Sequence, residues 1–118
     1  MHTMISTKRA YDEPSENDGY RVLVDAMWPR GIKKEDAHIN LWLRNIAPSK
    51  ELRQWFGHDP KRWESFKKKY HLELEKNHIP VDLLMEIKRR RDTVTLVYAA
   101  RDTEHNNALA LKDYLKRM

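Results

Sequence analysis

Residues 93–118 read TVTLVYAARDTEHNNALALKDYLKRM. A β-branched apolar run from Val94 to Ala99 ends abruptly in Arg101, Asp102, Glu104, His105, Asn106 and Asn107, and a helical pattern with Ala108, Leu111 and Leu115 on one side follows. A strand with so little polar interruption is expected in a parallel sheet covered on both faces. Asp102 or Thr103 can cap the helix, whose outward-pointing N–H groups make the junction a natural place for an anion. Six polar side chains are more than a cap requires.

Upstream, Met4 to Lys8 and Arg21 to Met27 read as strands. Between them, Asp12 to Gly19 is rich in turn residues, carries nothing that could enter a core, and is expected to be a surface loop. The second strand carries Asp25 and runs into Met27-Trp28-Pro29-Arg30-Gly31. Pro29 holds Trp28 extended and Gly31 permits a sharp turn, so Trp28 and Arg30 are fixed just past the strand end. They either close the core and pair with Asp25, or line a pocket with it.

A helical segment separates this strand from the last one. Asn40 to Ala47, with Leu41, Trp42 and Ile46, fits a short helix stopped before Pro48. Ser49 caps a second helix, which carries Leu52, Arg53 and Trp55 and stops at Gly57, with His58 just beyond. Asp59-Pro60 opens the longest helix, to about Asn77, where Trp63, Phe66, Tyr70 and Leu74 follow core spacing. Pro80 begins another, with Leu83, Leu84 and Ile87 expected inside and Lys88-Arg89-Arg90-Arg91 at its C-terminal end, where cations complement the helix dipole. Lys67-Lys68-Lys69 cannot share one direction on a helix and reads as a solvated surface. His71 and His78 have no third ligand at suitable spacing, so no metal site is expected.

The whole chain, residues 1–118, is the length of one domain. Its 40% hydrophobic and 35% charged residues suit a globular protein, and no apolar run approaches membrane length. Met1-His2-Thr3-Met4 lacks the pattern of a secretory signal, which makes the cytoplasm the expected location. With no cysteine, thiol nucleophiles, thiolate metal sites and disulfides are excluded, and with three glycines so are the glycine-rich dinucleotide fingerprints. No cofactor is implied. The +5 charge favours acidic ligands over basic ones.

Three segments, Asp25 to Gly31, Pro48 to Pro60 and Thr95 to Ala108, together resemble the YeaO-like bacterial family, and the resemblance extends from about Ile5 to the C-terminus. That family is one of unknown function, so the resemblance implies a fold and a bacterial or archaeal origin without a reaction. The family pattern carries arginine where this chain has Ala26. A broader branch carries cysteine at the position of Tyr98 and a Cys-His-Arg triplet where this chain has Asn106-Asn107-Ala108, so a thiol mechanism does not transfer.

The expected fold is α/β: a small, mainly parallel sheet of about three strands covered by helices, with a helical insert before the last strand. Its strand ends would bring Asp25, Trp28 and Arg30 towards Arg101, Asp102, His105, Asn106 and Asn107, with Arg53, Trp55 and His58 laid over the same edge. Such a pocket suits a small anionic ligand held by the three arginines. The acid/base candidates are Asp25, His58, Asp102 and His105. Two other readings are a nucleic-acid accessory module using the Lys67–Lys69 and Lys88–Arg91 runs, and a non-catalytic protein-interaction module using the tryptophans. No membrane partner is expected.

Overall fold

The computed structural model describes residues 3–118; the Met1-His2 part of the N-terminal segment considered above lies outside them. In chain order the elements are β1 (Met4–Arg9), β2 (Tyr20–Leu23), α1 (Lys34–Ala37), β3 (Leu41–Trp42), α2 (Lys50–Phe56), α3 (Trp63–Glu75), α4 (His78–Arg90), β4 (Thr93–Tyr98) and α5 (Asn107–Lys116). The sheet order is β1-β4-β2-β3 and every pair is parallel. The α/β class and the parallel sheet are as expected from the sequence, with four strands in place of about three.

β4 takes the interior place because its side chains suit burial on both faces: Val94 through Tyr98 are all buried. Alternation divides the core. Val22, Val24, Val94, Leu96 and Tyr98 meet Phe66, Tyr70 and Leu74 of α3, Leu84 of α4 and Leu111 of α5. Leu23 and Val97 point the other way, onto Trp28, Ile32, Ile39 and Trp42. Helices therefore pack on one face, while the other is covered by the segment between Trp28 and Trp42, whose only helix is the single turn α1.

The fourth strand lies where the pattern suggested a short helix over Asn40 to Ala47. Asn40 N–H donates to Arg21 O at 2.9 Å and Leu43 N–H to Leu23 O at 2.9 Å, which ties this segment to the open edge of β2. Only Arg44–Ile46 coils, as one 3-10 turn before Pro48. Over so few residues an apolar pattern satisfies either geometry, and the unpaired edge of β2 decides. The capping signals hold: Ser49 Oγ accepts from Leu52 N–H, Asp59 from Lys61 N–H, and Gly57 ends α2 at φ 54°. Pro60–Arg62 is a 3-10 turn leading into α3. On α4, Pro80, Val81 and Leu84 face inward, whereas Leu83 is 43% exposed.

The loop before β2 does contribute to the interior. Asp18 and Arg21 are buried and joined at 2.6 Å; Lys8 Nζ lies 3.2 Å from the same carboxylate. Arg21 also donates to the carbonyls of Ala37 and His38 at the C-terminal end of α1, where a cation is favourably placed. Ser15 and Asp18 form a capping box, and Gly19, at φ 64°, passes so close to Thr93 that a side chain would collide with its backbone.

Burial pushes the Asp18 carboxyl up, but hydrogen bonds from Ser15 N–H, Lys8 and Arg21 outweigh it and hold the group below its ordinary 3.8. A depressed carboxylate contributes stability above the unfolded value and loses it as pH falls through the folded value. We expect Asp18→Asn to lower stability by about 3 kcal/mol at pH 7, because Arg21 loses its charged partner. Urea denaturation should show the deficit shrinking as pH is lowered below 3.8; a deficit that does not change with pH would contradict this role.

Candidate functional site

β2 and β4 run parallel, so the segments leaving them emerge at the same edge. Past β2 the chain bends at Asp25, whose carboxylate spans to the neighbouring strand. Asp25 Oδ2 accepts from Ala99 N–H at 2.9 Å, just beyond β4, and Oδ1 accepts from Asn107 Nδ2 at 3.0 Å, in the first turn of α5. Asn107 Nδ2 also donates to Val24 O at 3.1 Å. Trp42 Nε1 donates to Asp25 O at 2.8 Å, which anchors β3 to the same bend. Asp25 thus ties together every strand and helix that reaches the site from this side.

Arg101 to Asn106 form two successive caps. Asp102 Oδ1 accepts from the N–H groups of Glu104 and His105, and Oδ2 lies 2.9 Å from His105 Nδ1. Asn106 then caps α5: its Oδ1 accepts from Leu109 N–H and its Nδ2 donates to Asp102 O. The helix therefore starts later than a cap at Asp102 or Thr103 would place it. Having both polar atoms bonded within the chain and being 2% exposed, Asn106 builds the turn.

Between these segments and α2 lies a cavity of about 750 Å³. Its apolar walls come from Trp28, Pro29, Phe56, Phe66, Ala99 and Ala100, and its polar rim from the arginines Arg30, Arg53 and Arg101 with His58 and His105. Asp25, Asp102, Asn106 and Asn107 also line it. The side chains named from the sequence thus converge, with one exception. Trp55 does not line the cavity: Leu52 and Phe56 point α2 at the core, which sends Arg53 to the cavity side and Trp55 to the opposite flank. The alternative pairing of Arg30 with Asp25 is absent, and Arg30 is exposed while its carbonyl accepts from Tyr11 O–H at 2.9 Å. Tyr11 also lines the cavity; it sits in a loop whose sequence gives no direction to its side chain.

The two carboxylates have opposite environments. Burial pushes the Asp25 carboxyl up against the pull of Asn107, Ala99, Arg53 and His58. Glu104 N–H, then the His105 side chain, hold the exposed Asp102 carboxyl down. His105 stands edge-on to Trp63, with ring centres 5.5 Å apart, and its contact to Asp102 favours the tautomer that donates from Nδ1 and leaves Nε2 as an acceptor. Among the described residues no group of three His, Cys, Asp or Glu is placed to hold a metal ion. No described helix is long and apolar enough to cross a membrane.

Residues 4–118 match the family model described as the inactive DUF488-N3 subclade. The chain belongs to this family. It is 40% identical over 114 residues to the uncharacterised protein YeaO of Escherichia coli, covering 97% of this chain and 98% of that one. Mycobacterial relatives, Mb3100c of Mycobacterium bovis and Rv3073c of Mycobacterium tuberculosis, are each 37% identical over 115 residues, covering 96% of this chain and 94% of theirs. No solved structure gives a significant match. The family is of unknown function.

For a member of this family the Ala26 position matters, since it lines the cavity. The arginine of the YeaO-like pattern would add a cation there; here three arginines remain, and none pairs with a carboxylate among the described residues. Tyr98 fills the strand-end position with a buried phenol that burial holds neutral.

Asp25→Asn should separate the hydrogen-bonding role of this group from its charge. An amide presents one acceptor where two donors converge, so one hydrogen bond is lost, at about 1–2 kcal/mol. In the native protein, folding binds a proton more tightly than unfolding at Asp25, and this contribution to stability declines as pH rises above 3.8 through the raised folded value. The variant lacks that slope. Its deficit in chemical denaturation should therefore be largest at acidic pH and smaller at neutral pH; a deficit that grows with pH would contradict the assignment.

Proposed function

We propose that the cavity binds a small ligand with an anionic group, carboxylate or phosphate, and an apolar or aromatic body, nucleotide-like compounds included. The observation that carries this reading is the uncompensated charge at its mouth. Arg30, Arg53 and Arg101 rim a cavity whose walls are aromatic and aliphatic, and no carboxylate pairs with any of them among the described residues. Arginines in such a setting favour bidentate contacts with planar or tetrahedral oxyanions, while the apolar wall rewards burial of the remainder. Neither acidic group forms an ion pair with a rim arginine: Asp25 accepts from Ala99 and Asn107 and feels Arg53 only at a distance, and Asp102 is engaged by its own turn.

Binding without covalent chemistry is the reading best supported. Among the described residues the cavity is lined by no serine, threonine or cysteine, and its carboxylates Asp25 and Asp102 are held by hydrogen bonds within the chain. The matching family's description as inactive agrees with that. The Asp102–His105 contact favours one alternative, proton transfer by His105 to or from a bound ligand, because a carboxylate on Nδ1 leaves Nε2 available as a base. Turnover of a bound compound, lost in His105→Ala, would select that alternative.

A thermal-shift screen of nucleoside phosphates, sugar phosphates and dicarboxylates tests the binding reading. A ligand at about 100 times its Kd stabilises the native state by about 2.7 kcal/mol, which raises the midpoint by several degrees. The combined Arg30→Ala and Arg53→Ala variant, altered only at exposed side chains, should keep its unliganded midpoint and lose the shift. No shift with any anion, or an equal shift in the variant, would overturn it.

A further inference from the structure

The outer face of α3 gathers charge in a way that neither lysine-arginine run does alone. At about 100° per residue, Phe66, Tyr70 and Leu74 define the inward side of this helix, while Ser65, Lys68, Lys69, Leu72 and Lys76 fall on one outward side. Lys61 and Arg62, in the turn that leads into it, continue the line. All of these outward residues are exposed. Of the carboxylates of the helix, Glu73 turns inward to Ser49 Oγ at 2.6 Å, Glu64 meets Lys67 at 3.5 Å, and the exposed Glu75 borders the face beside Lys68, on the side towards Tyr114. At the margin Asp59 lies 3.9 Å from Arg62, and the exposed Glu51 is one turn from Trp55 on α2.

Trp55 stands beside this face. Excluded from the cavity and 37% exposed, its ring lies 5.2 Å from the Arg62 guanidinium and 5.1 Å from Lys69 Nζ, and Arg62 also donates to its carbonyl. Leu72, 59% exposed, adds an apolar surface between Lys69 and Lys76. Four other members of the two basic runs are engaged. Lys67 lies between Glu64 and Asp113, Arg89 and Arg90 hold Glu86, and Arg91 covers Tyr20.

We infer that this face, Trp55 with Lys61, Arg62, Lys68, Lys69 and Lys76, docks a single-stranded nucleic acid. The cations span about 22 Å along the helix, enough for the phosphates of a few nucleotides. Arg62 and Lys69 lie over the Trp55 ring; displaced from it by a base that stacks on the indole, they are placed to neutralise the adjoining phosphates. Charge complementarity selects a polyanion, and the aromatic group selects one with unpaired bases over an acidic protein segment. This inference does not depend on the cavity or its ligand.

The test is fluorescence anisotropy of labelled single-stranded DNA and RNA of about 15 nucleotides at low salt, with the full chain. Binding of at least one of them should exceed that of the corresponding duplex and weaken steeply from about 50 to 200 mM salt. Trp55→Ala should weaken it about tenfold, and Arg62→Glu with Lys69→Glu by more, at unchanged circular dichroism. Arg89→Glu with Arg91→Glu, and Arg30→Ala with Arg53→Ala, should leave it unchanged. No binding at low salt, duplex or polyglutamate bound equally well, or affinity insensitive to Trp55 and Lys69 would each overturn the inference.

Discussion

One carboxylate holds together the edge of this protein where the cavity lies. Parallel strands do not hydrogen-bond past their ends, so the segments leaving β2 and β4 would diverge where a site has to be built. Asp25 prevents this by accepting Ala99 N–H from one side and the Asn107 side chain from the other, while its carbonyl takes the Trp42 indole. The bend that carries Trp28 and Arg30, the turn that carries Arg101 to Asn106, the first turn of α5 and the edge strand β3 are all referenced to that residue. Burial opposes its ionisation, in a cavity whose rim carries three arginines.

The remaining structure isolates this edge. Helices fill one face of the sheet; on the other, Trp28 packs edge-on against Trp42 with ring centres 5.5 Å apart and donates its indole N–H to Ile32 O. The buried Arg21–Asp18 pair pins α1 and the loop before β2 near the opposite end of the same strands. Charge is divided accordingly: paired where Asp18 and Arg21 are buried, and predominantly cationic at the cavity mouth and along the outer face of α3. His58 follows Gly57 in the left-handed region, at φ 56°, a conformation uncommon for a side-chain-bearing residue, and this directs it over the cavity.

The sequence disclosed those features that depend on local periodicity or local capping. The buried strand before Ala99, the caps at Ser49, Gly57 and Asp59, and the inward line Ala108, Leu111 and Leu115 all rest on neighbours a few residues away. That Asp25, Trp28 and Arg30 lie near Arg101 to Asn107 was legible for a related reason, since residues just past neighbouring parallel strands share one edge of the sheet. What was hidden depends on pairing or rotation. β3 is two residues long and exists because β2 offers an edge; Asp18 enters the interior because Arg21 is there to receive it. Asp102 and Asn106 are equally good caps by composition, and only the length of the turn assigns α5 to Asn106. Trp55 and Arg53 are two positions apart, about 200° on a helix, so no single face could hold both.

The most direct test of the central claim is the two-dimensional amide and indole NMR spectrum recorded while a nucleoside monophosphate is titrated in. If the Asp25-braced edge is an anion site, saturable shifts should concentrate at the Trp28 indole and at the amides of Ala99, Arg101, His105 and Asn107. Saturable shifts absent from these positions, or shifts confined to the lysines and arginines of the helix surfaces, would contradict it.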